Sequence, residues 1–403
     1  MPSKFQYSTF VFILFSISCS QNQEKVDGFL DVNIDNIETI EVALSELVEN
    51  CQIVRLETGL ESQFKWASDI AVSDEYILIT DQTPITAKIF ARDGQFVRSI
   101  GSIGKGPAEY STVVCPYISD NEPKFWMLVG GNYDHFKDGW IYKFDSHGNF
   151  SEEVDANTLA NLNARDVSEF MVYNGNLLLP GRSDAEYILQ WKNMSGNELY
   201  SIPNPMAGTL FLSTPISKIY PRGDDIIVKA GIADTIYKVN LEDKTLKAIA
   251  SIYTTNHKID ESKLIAARKS SLSVRFEKLA KASKGVYSIR LRGETKDYYL
   301  LNVRIEGDDY ETKSCRVNRK SGKAEFYTLR NDFLGGLPFS DPRYFYQNNY
   351  LIFNYSAIEL KELIVESIDN KTVSDKWLEK LEQLNSEIDE EDNNVLFVCQ
   401  LRL

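Results

Sequence analysis

"AKIFARDGQFVRSI", residues 87–100, holds two apolar–polar alternations on either side of a polar turn at Gly94. Alternation at period two marks a strand with one buried face, and glycine takes the positive φ of a tight reversal at little cost. The stretch is therefore a β-hairpin. The same strand–turn–strand pattern returns in "WIYKFDSHGNFSEEV" (140–154), "YILQWKNMSGNELYSI" (187–202), "TIYKVNLEDKTLKAIA" (235–250) and "KSCRVNRKSGKAEFYTL" (313–329). Gly148, Gly196 and Gly322 stand where Gly94 does, and Asp243-Lys244 replaces the glycine once.

A second set of hairpins precedes these. Their polar turns lie in "IAVSDEYILIT" (70–80), "YISDNEPKFWML" (117–128), "FMVYNGNLLL" (170–179), "IYPRGDDIIVK" (219–229) and "YFYQNNYLIF" (344–353). The repeating unit is two hairpins, four strands, recurring every 48–54 residues, which is a propeller blade. Gly196 and Gly322 are separated by two such periods plus about 30 residues. The surplus is residues 258–285, helical by pattern and basic, with Lys263, Arg268, Lys269, Arg275, Lys278 and Lys281. Its plainest reading is a solvated lid that packs through Leu264, Ile265, Leu272, Phe276 and Leu279.

A second helical insertion, 359–392, interrupts the last blade, and "NVLFVCQLRL" (394–403) resumes it as a strand with no partner after it. The missing fourth strand is available at the other end of the chain in "CQIVRLET" (51–58). Closing the ring with that N-terminal strand removes an exposed sheet edge. The expected fold is all-β, a six-bladed β-propeller with both helical insertions on its loop face.

"VRLET" (54–58), "FARDGQFVRSIGSIGKGPAEY" (90–110) and a helix followed by "NNVLFVCQLRL" (393–403) together resemble one family. It is the six-bladed β-propeller lipoproteins related to NHL-repeat proteins, frequent in Bacteroidetes envelopes and mostly of unknown function. The similarity runs over nearly the whole mature chain. Its most specific part is Gly101, Gly104, Gly106, Pro107, Glu109 and Tyr110, which match a GxxGxGPxEY-like signature. Ala108 departs from it where the family often has another glycine, and Val395 stands where a proline often precedes the last strand.

The N-terminus is read apart from the fold. Lys4 is followed by "TFVFILFSIS" (9–18), too short for the ~20 apolar residues of a membrane span. Residues 1–18 are a secretory signal, and "FSISC" resembles a bacterial lipobox with Cys19 as the lipid-modified residue, Ser16 replacing the usual aliphatic. Residues 19–45 follow as a polar tether and lead-in, and 46–403 form the propeller. The expected location is the cell envelope, as an outer-membrane lipoprotein facing the periplasm or the surface, held to the membrane only by its lipid.

A net charge of −14 opposes binding to a phosphate backbone, so nucleic acid is not an expected partner. Cys51, Cys115, Cys315 and Cys399 show no zinc or CxxC spacing and read as buried thiols. Cys51 and Cys399 alone would lie on adjacent strands, positioned for a disulfide.

"GSIGKGPAEY" (101–110) has the glycines and lysine of a phosphate loop but fails its chemistry. Gly106 follows Lys105 where a P-loop needs Ser or Thr, and the next residues are strand-like rather than the start of a helix. The glycines instead turn the chain between blades, Tyr110 wedges between them, and Glu109 accepts from nearby backbone N–H groups.

In a propeller, the blade-to-blade connections share a face with the middle-hairpin loops "GGNYDHFKDG" (130–139), "GRSDAE" (181–186) and "EGDDYE" (306–311). A concave mouth with convergent polar groups is the natural binding site, and Lys105, Asp134, His135, Arg182 and Asp184 are its candidates. His135, His147 and His257 form no HExxH motif, no G-x-S-x-G elbow occurs, and the carboxylates of "RGDD" (222–225) and "EGDDY" (306–310) lack EF-hand spacing. The expectation is a non-enzymatic module that binds a glycan, a peptide or an envelope protein, with no cofactor and no metal. The alternative, implied by the resemblance, is a metal-dependent carbohydrate lyase or lactonase at the channel mouth.

Overall fold

The computed structural model describes residues 28–119, 124–130, 139–155, 170–180, 186–203, 218–222, 225–229, 234–243 and 245–258. Beyond these it describes 260, 262–263, 266, 270–271, 274, 277–278, 281–282, 284–307, 311–339, 345–347 and 349–403. Six sheets of four antiparallel strands follow one another along the chain. Blade 1 is Asp69–Val72, Tyr76–Gln82, Ile85–Ala91 and Phe96–Ser99. Blade 2 runs from Thr112 to Asp155, blade 3 from Met171 to Pro203, blade 4 from Lys218 to Tyr253, and blade 5 from Tyr287 to Arg330.

Each blade is sandwiched between two others, so its middle strands bury both faces and read as continuous apolar runs rather than alternations. Tyr76–Gln82 and Phe125–Gly130 do so, while the outer strand Phe96–Ser99 is largely exposed. The core is therefore a ring of interfaces. Between blades 1 and 2, Leu78, Ala87 and Ile89 pack on Val113, Phe125, Met127 and Val129. The outer turns take the predicted geometry, with positive φ at Gly94, Gly148, Gly196 and Gly322. Asp145, Asn193, Asn240 and Asn318 open four of these turns and accept hydrogen bonds from backbone N–H groups two to four residues on.

Blade 6 is Phe345–Gln347, Tyr350–Tyr355, Val395–Leu401 and, last, the N-terminal strand Val48–Arg55. The register puts Cys399 opposite Cys51, and the two form a disulfide. This replaces the reading of that pair as buried thiols. The physical reason is register: directly opposed positions on an antiparallel pair point their side chains the same way. Cys315 is buried, and burial pushes its thiol up to about 12, which keeps it protonated. Blade 6 then locks to blade 1, where Glu57 N donates to Gly94 O at 2.9 Å. A Cβ at Gly94 would collide with the Arg55 carbonyl, so the turn needs glycine for its close approach as well as its φ.

One expectation is corrected. The segment assigned to a tether and lead-in carries two strands, Leu30–Asn33 and Thr39–Ala43. They add in parallel to the outer edges of blade 4, on Thr245–Tyr253, and blade 5, on Ala324–Arg330. Covering an outer edge satisfies its free N–H and C=O groups and buries Val32, Ile34 and Val42. Asp35, between the two strands, accepts from the N–H groups of Thr255 and Asn256 at 2.8 and 3.0 Å and so fixes the crossing.

The insertion in blade 6 is two helices, Ala357–Asp369 and Asp375–Glu387, rather than one stretch. Ser356 caps the first by accepting from Glu359 N. Leu360, Ile364, Leu381 and Leu384 bury themselves with Leu334, Leu337 and Tyr355. Among the described residues no helix is long and apolar enough to cross a membrane.

Candidate functional site: the loop face and channel mouth

The connection 101–110 leaves blade 1 and enters blade 2. Ser102–Ile103 pairs in parallel with Glu109–Tyr110, folding the segment back on itself. Tyr110 is 2% exposed and sits among Ile89, Ile100, Val113 and Phe125 of both blades, with its hydroxyl donating to Ile100 O at 2.9 Å. Burial raises its phenol. The Glu109 carboxylate accepts from Gly106 N at 2.6 Å, and Tyr142 donates to Glu109 O at 3.1 Å. Glycines and carboxylate thus form a closed structural turn. Ala108 holds φ 62, the left-handed region, which accounts for the glycine usual at that place in the resembling family.

Lys105 is exposed at the tip of this turn. Asp134, His135, Arg182 and Asp184 lie outside the described residues, as do Cys19 and the apolar positions proposed for the 258–285 lid. Of the five candidates, Lys105 alone falls among the described residues. The 56–68 connection from blade 6 to blade 1 is held by buried groups. Asp81 accepts from Lys65 N and Trp66 N at 2.7 and 3.0 Å, and Asn393 accepts from Phe64 N while donating to Glu57 O and Ser62 O. Leu60 and Trp66 project from this anchored segment, 101% and 54% exposed. A cavity of about 600 Å³ opens beneath the second helix, lined by Arg55, Glu57, Asp93, Lys380 and Glu387. Its Arg55–Glu387 ion pair, at 3.1 Å, ties the closing strand to that helix.

The strongest electrostatic feature is elsewhere. The innermost strand of blade 5, Tyr287–Glu294, starts at the loop face and carries Arg290 and Arg292 on one side. Arg304, near the loop-face end of the neighbouring strand, faces Ser288 in the register and so shares that side. Burial and the Arg304 and Arg292 guanidiniums hold Arg290 below its usual pKa, with Glu306 opposing them. From blade 4, the buried Lys229 passes under the same strand and donates to Ile289 O at 2.9 Å. Burial, with a smaller contribution from Arg290, brings its ammonium down to about 8 against the pull of Asp234.

Around them, Arg304 pairs with Glu306 at 3.2 Å and Lys258 with Asp234 at 3.6 Å. His257 stacks on Tyr287 with ring centroids 4.0 Å apart, and its Nδ1 lies 3.0 Å from Gly285 O, so Nδ1 carries the proton. Among the described residues this cluster holds five cations, Lys229, Lys258, Arg290, Arg292 and Arg304, against two anions, Asp234 and Glu306. That is a local surplus on a chain of net −14.

Sequence reasoning missed this cluster. The signal is "SIRLRGE" (288–294), where arginines alternate with apolar residues on a strand, together with a lysine ending the apolar run "DIIVK" (225–229). Among the described residues no three His, Cys, Asp or Glu side chains gather as metal ligands would.

Comparison with known proteins agrees with the fold. No curated protein matches. A solved structure described as an exported protein of Bacteroides fragilis shares 16% identity over 93% of this chain and 100% of its own, with a TM-score of 0.64. A member of the DUF4221 family from Bacteroides vulgatus is 10% identical over 88% of this chain and 97% of its own, at a TM-score of 0.49. At 16% identity the likeness to the exported protein speaks for the fold alone. The sequence pattern of one family, "Domain of unknown function (DUF4934)", matches residues 29–400, which spans the whole propeller and both edge strands. The chain is a six-bladed β-propeller and belongs to the DUF4934 family.

Proposed function

We propose that this protein is a lipid-anchored binding module of the cell envelope that presents its loop face to a glycan, a peptide or a partner protein. The features that carry the reading are the cationic group of Lys229, Arg290, Arg292 and Arg304 on strands of blades 4 and 5, and the exposed Lys105, Leu60 and Trp66 on anchored blade-to-blade connections. A propeller scaffold specifies no activity by itself, so the argument rests on this site. Export is supported by the signal-like N-terminus and by the Cys51–Cys399 disulfide, a bond that persists in oxidising compartments. The exported Bacteroides fragilis protein with the same fold is in keeping with it. Attachment is assigned to Cys19 as an outer-membrane lipoprotein.

The test has two arms. A Cys19→Ser chain expressed in its host should leave the membrane fraction for the soluble one. The purified protein, screened against polysaccharides, peptides and envelope extracts, should retain a ligand that competes with modification of Lys105. Absence of any binding would overturn the module. Turnover of a polysaccharide or lactone with a bound divalent metal would select the enzyme instead.

A further inference from the structure

We propose that the outer edge of blade 6, along residues 50–54 of the closing strand, accepts an extended segment of a partner protein as a fifth strand. The segment places an apolar side chain against Ile53 and Leu384 and a basic one toward Glu57 and Asp93. The site lies on the rim of the propeller and stands independently of the loop-face reading.

The fold already uses this mode twice. Blades 4 and 5 each carry a fifth strand, Leu30–Asn33 and Thr39–Ala43, added in parallel to the outer edge. The same N-terminal run then enters blade 6 as its fourth strand, Val48–Arg55, and among the described residues no strand pairs with the outer side of that one. Hydrogen bonds at its end show which groups are free. Leu56 N donates inward to Asn394 O, and Glu57 N donates outward to Gly94 O. Main-chain groups alternate in direction along a paired strand, so the N–H and C=O of Cys51 and Ile53 point outward, as those of Glu57 do.

Sequence sets this edge apart from the outer edges of blades 1, 2 and 3. Natural edges are blunted by charge, proline or brevity. Phe96–Ser99 has four residues and carries Arg98, Phe150–Asp155 carries Glu152, Glu153 and Asp155, and Glu198–Pro203 begins with an acid and ends in proline. "NCQIV" (50–54) has neither a charge nor a proline, and Asn50, Gln52 and Ile53 are exposed.

The groove beside the edge selects the side chains. The cavity of about 600 Å³ lies between Ile53 and Arg55 of the strand and Lys380, Leu384 and Glu387, which share one face of the helix Asp375–Glu387. Ile53 is 36% exposed, and Leu384 lines the opposite side. Toward the end of the strand the lining turns acidic, with Glu57, Asp93 and Asp392. Arg55 is already paired with Glu387, which leaves Lys380 against those three carboxylates. A strand running parallel to the edge thus meets the apolar position first and the acidic one near its C-terminal end.

The experiment titrates the full mature chain with a fluorescent peptide of about ten residues that alternates Val with Thr and ends in two lysines. Its companions are the same peptide N-methylated at alternate residues, in both frames, and one ending in two glutamates. The lysine peptide should bind, with affinity falling as salt rises, and the glutamate peptide should bind about tenfold or more weakly. N-methylation should abolish binding in one frame and spare it in the other, because a strand pairs here through one edge only. Ile53→Lys and Ile53→Pro should each weaken binding about tenfold or more. Proline removes an outward N–H that pairs with no strand of the fold, and the lysine variant decides the matter if proline unfolds the chain. Failure of the lysine peptide to bind, or binding that survives N-methylation in both frames or the Ile53→Lys change, would overturn the site. Equal binding of the glutamate peptide would overturn the basic partner. Dimers of the parent in sedimentation that Ile53→Lys dissociates would replace the partner segment by a second copy of this chain.

Discussion

Cys51 and Cys399 face each other across the strand pair that joins the two ends of the propeller, and their disulfide spans a sequence separation of 348. Everything from blade 1 to blade 6 lies inside that loop. Cross-linking residues so far apart restricts the unfolded chain strongly, and removing such a native bond costs about 2–5 kcal/mol. A Cys51→Ser, Cys399→Ser chain should therefore show a lower urea midpoint with a steeper dependence on denaturant, because the unlinked unfolded chain exposes more surface. Thiol titration of the denatured, unreduced domain should find Cys115 and Cys315 alone. Four reactive thiols in protein purified from the envelope would remove the latch.

The turn between blades 1 and 2 offers a paired test. Gly101 and Ala108 both hold left-handed backbone, at φ 66 and 62. A Cβ at Gly101 would run into the Tyr110 ring and the Ala108 carbonyl, whereas at Ala108 the Cβ is already present and strained. Gly101→Ala should destabilise by about 2 kcal/mol or more. Ala108→Gly should stabilise by about 0.5 kcal/mol, the relief of strain exceeding the added entropy of the unfolded chain. Equal effects of one sign in urea unfolding would contradict this account.

These contrasts explain what the sequence could and could not disclose. The repeat was legible because its signals are local: an alternation, a polar turn, a glycine at φ > 0. The closing strand was legible because a blade with three strands leaves an edge to fill. The strands in "DVNIDNIETIEVA" (31–43) were not, since parallel pairing leaves no hairpin turn behind and their partners lie more than 200 residues away. The arginine row was visible in "SIRLRGE" as a breach of strand apolarity. Its meaning depended on which strand lines the channel, and that exists only once the ring is closed.

The N-terminal segment is tied to blade 5 by charge as well as by pairing. Buried Arg316 reaches Glu325 at 3.0 Å and Glu46 at 3.1 Å, and stacks over the Tyr298 ring. Hydrogen bonds from Lys323 and then Arg316 hold the Glu325 carboxyl below its ordinary range. A carboxylate whose folded pKa is depressed adds stability that is complete above the unfolded value, about 4.3, and vanishes as pH falls through the folded one. Glu325→Gln should thus cost about 2 kcal/mol at pH 7, and the gap from the parent should close below about pH 4. A gap independent of pH would mean the contact is not ionic.

Lys361 makes the last prediction, because it performs on one helix what the other cannot do for itself. Its ammonium, on Ala357–Asp369, donates to Asn385 O at 2.9 Å and Ile388 O at 2.7 Å, where Asp375–Glu387 ends. The final carbonyls of a helix have no partner within it, and a cation there also meets the negative end of the helix dipole. Lys361→Met keeps the apolar stem and deletes both bonds, so it should cost about 1–3 kcal/mol. The loss should be local, with amide hydrogen exchange accelerating across 375–387 while the strands of blade 3 keep their protection. Lys361→Arg should recover part of it. Unchanged exchange in that helix would show that Leu381 and Leu384 hold it by packing alone.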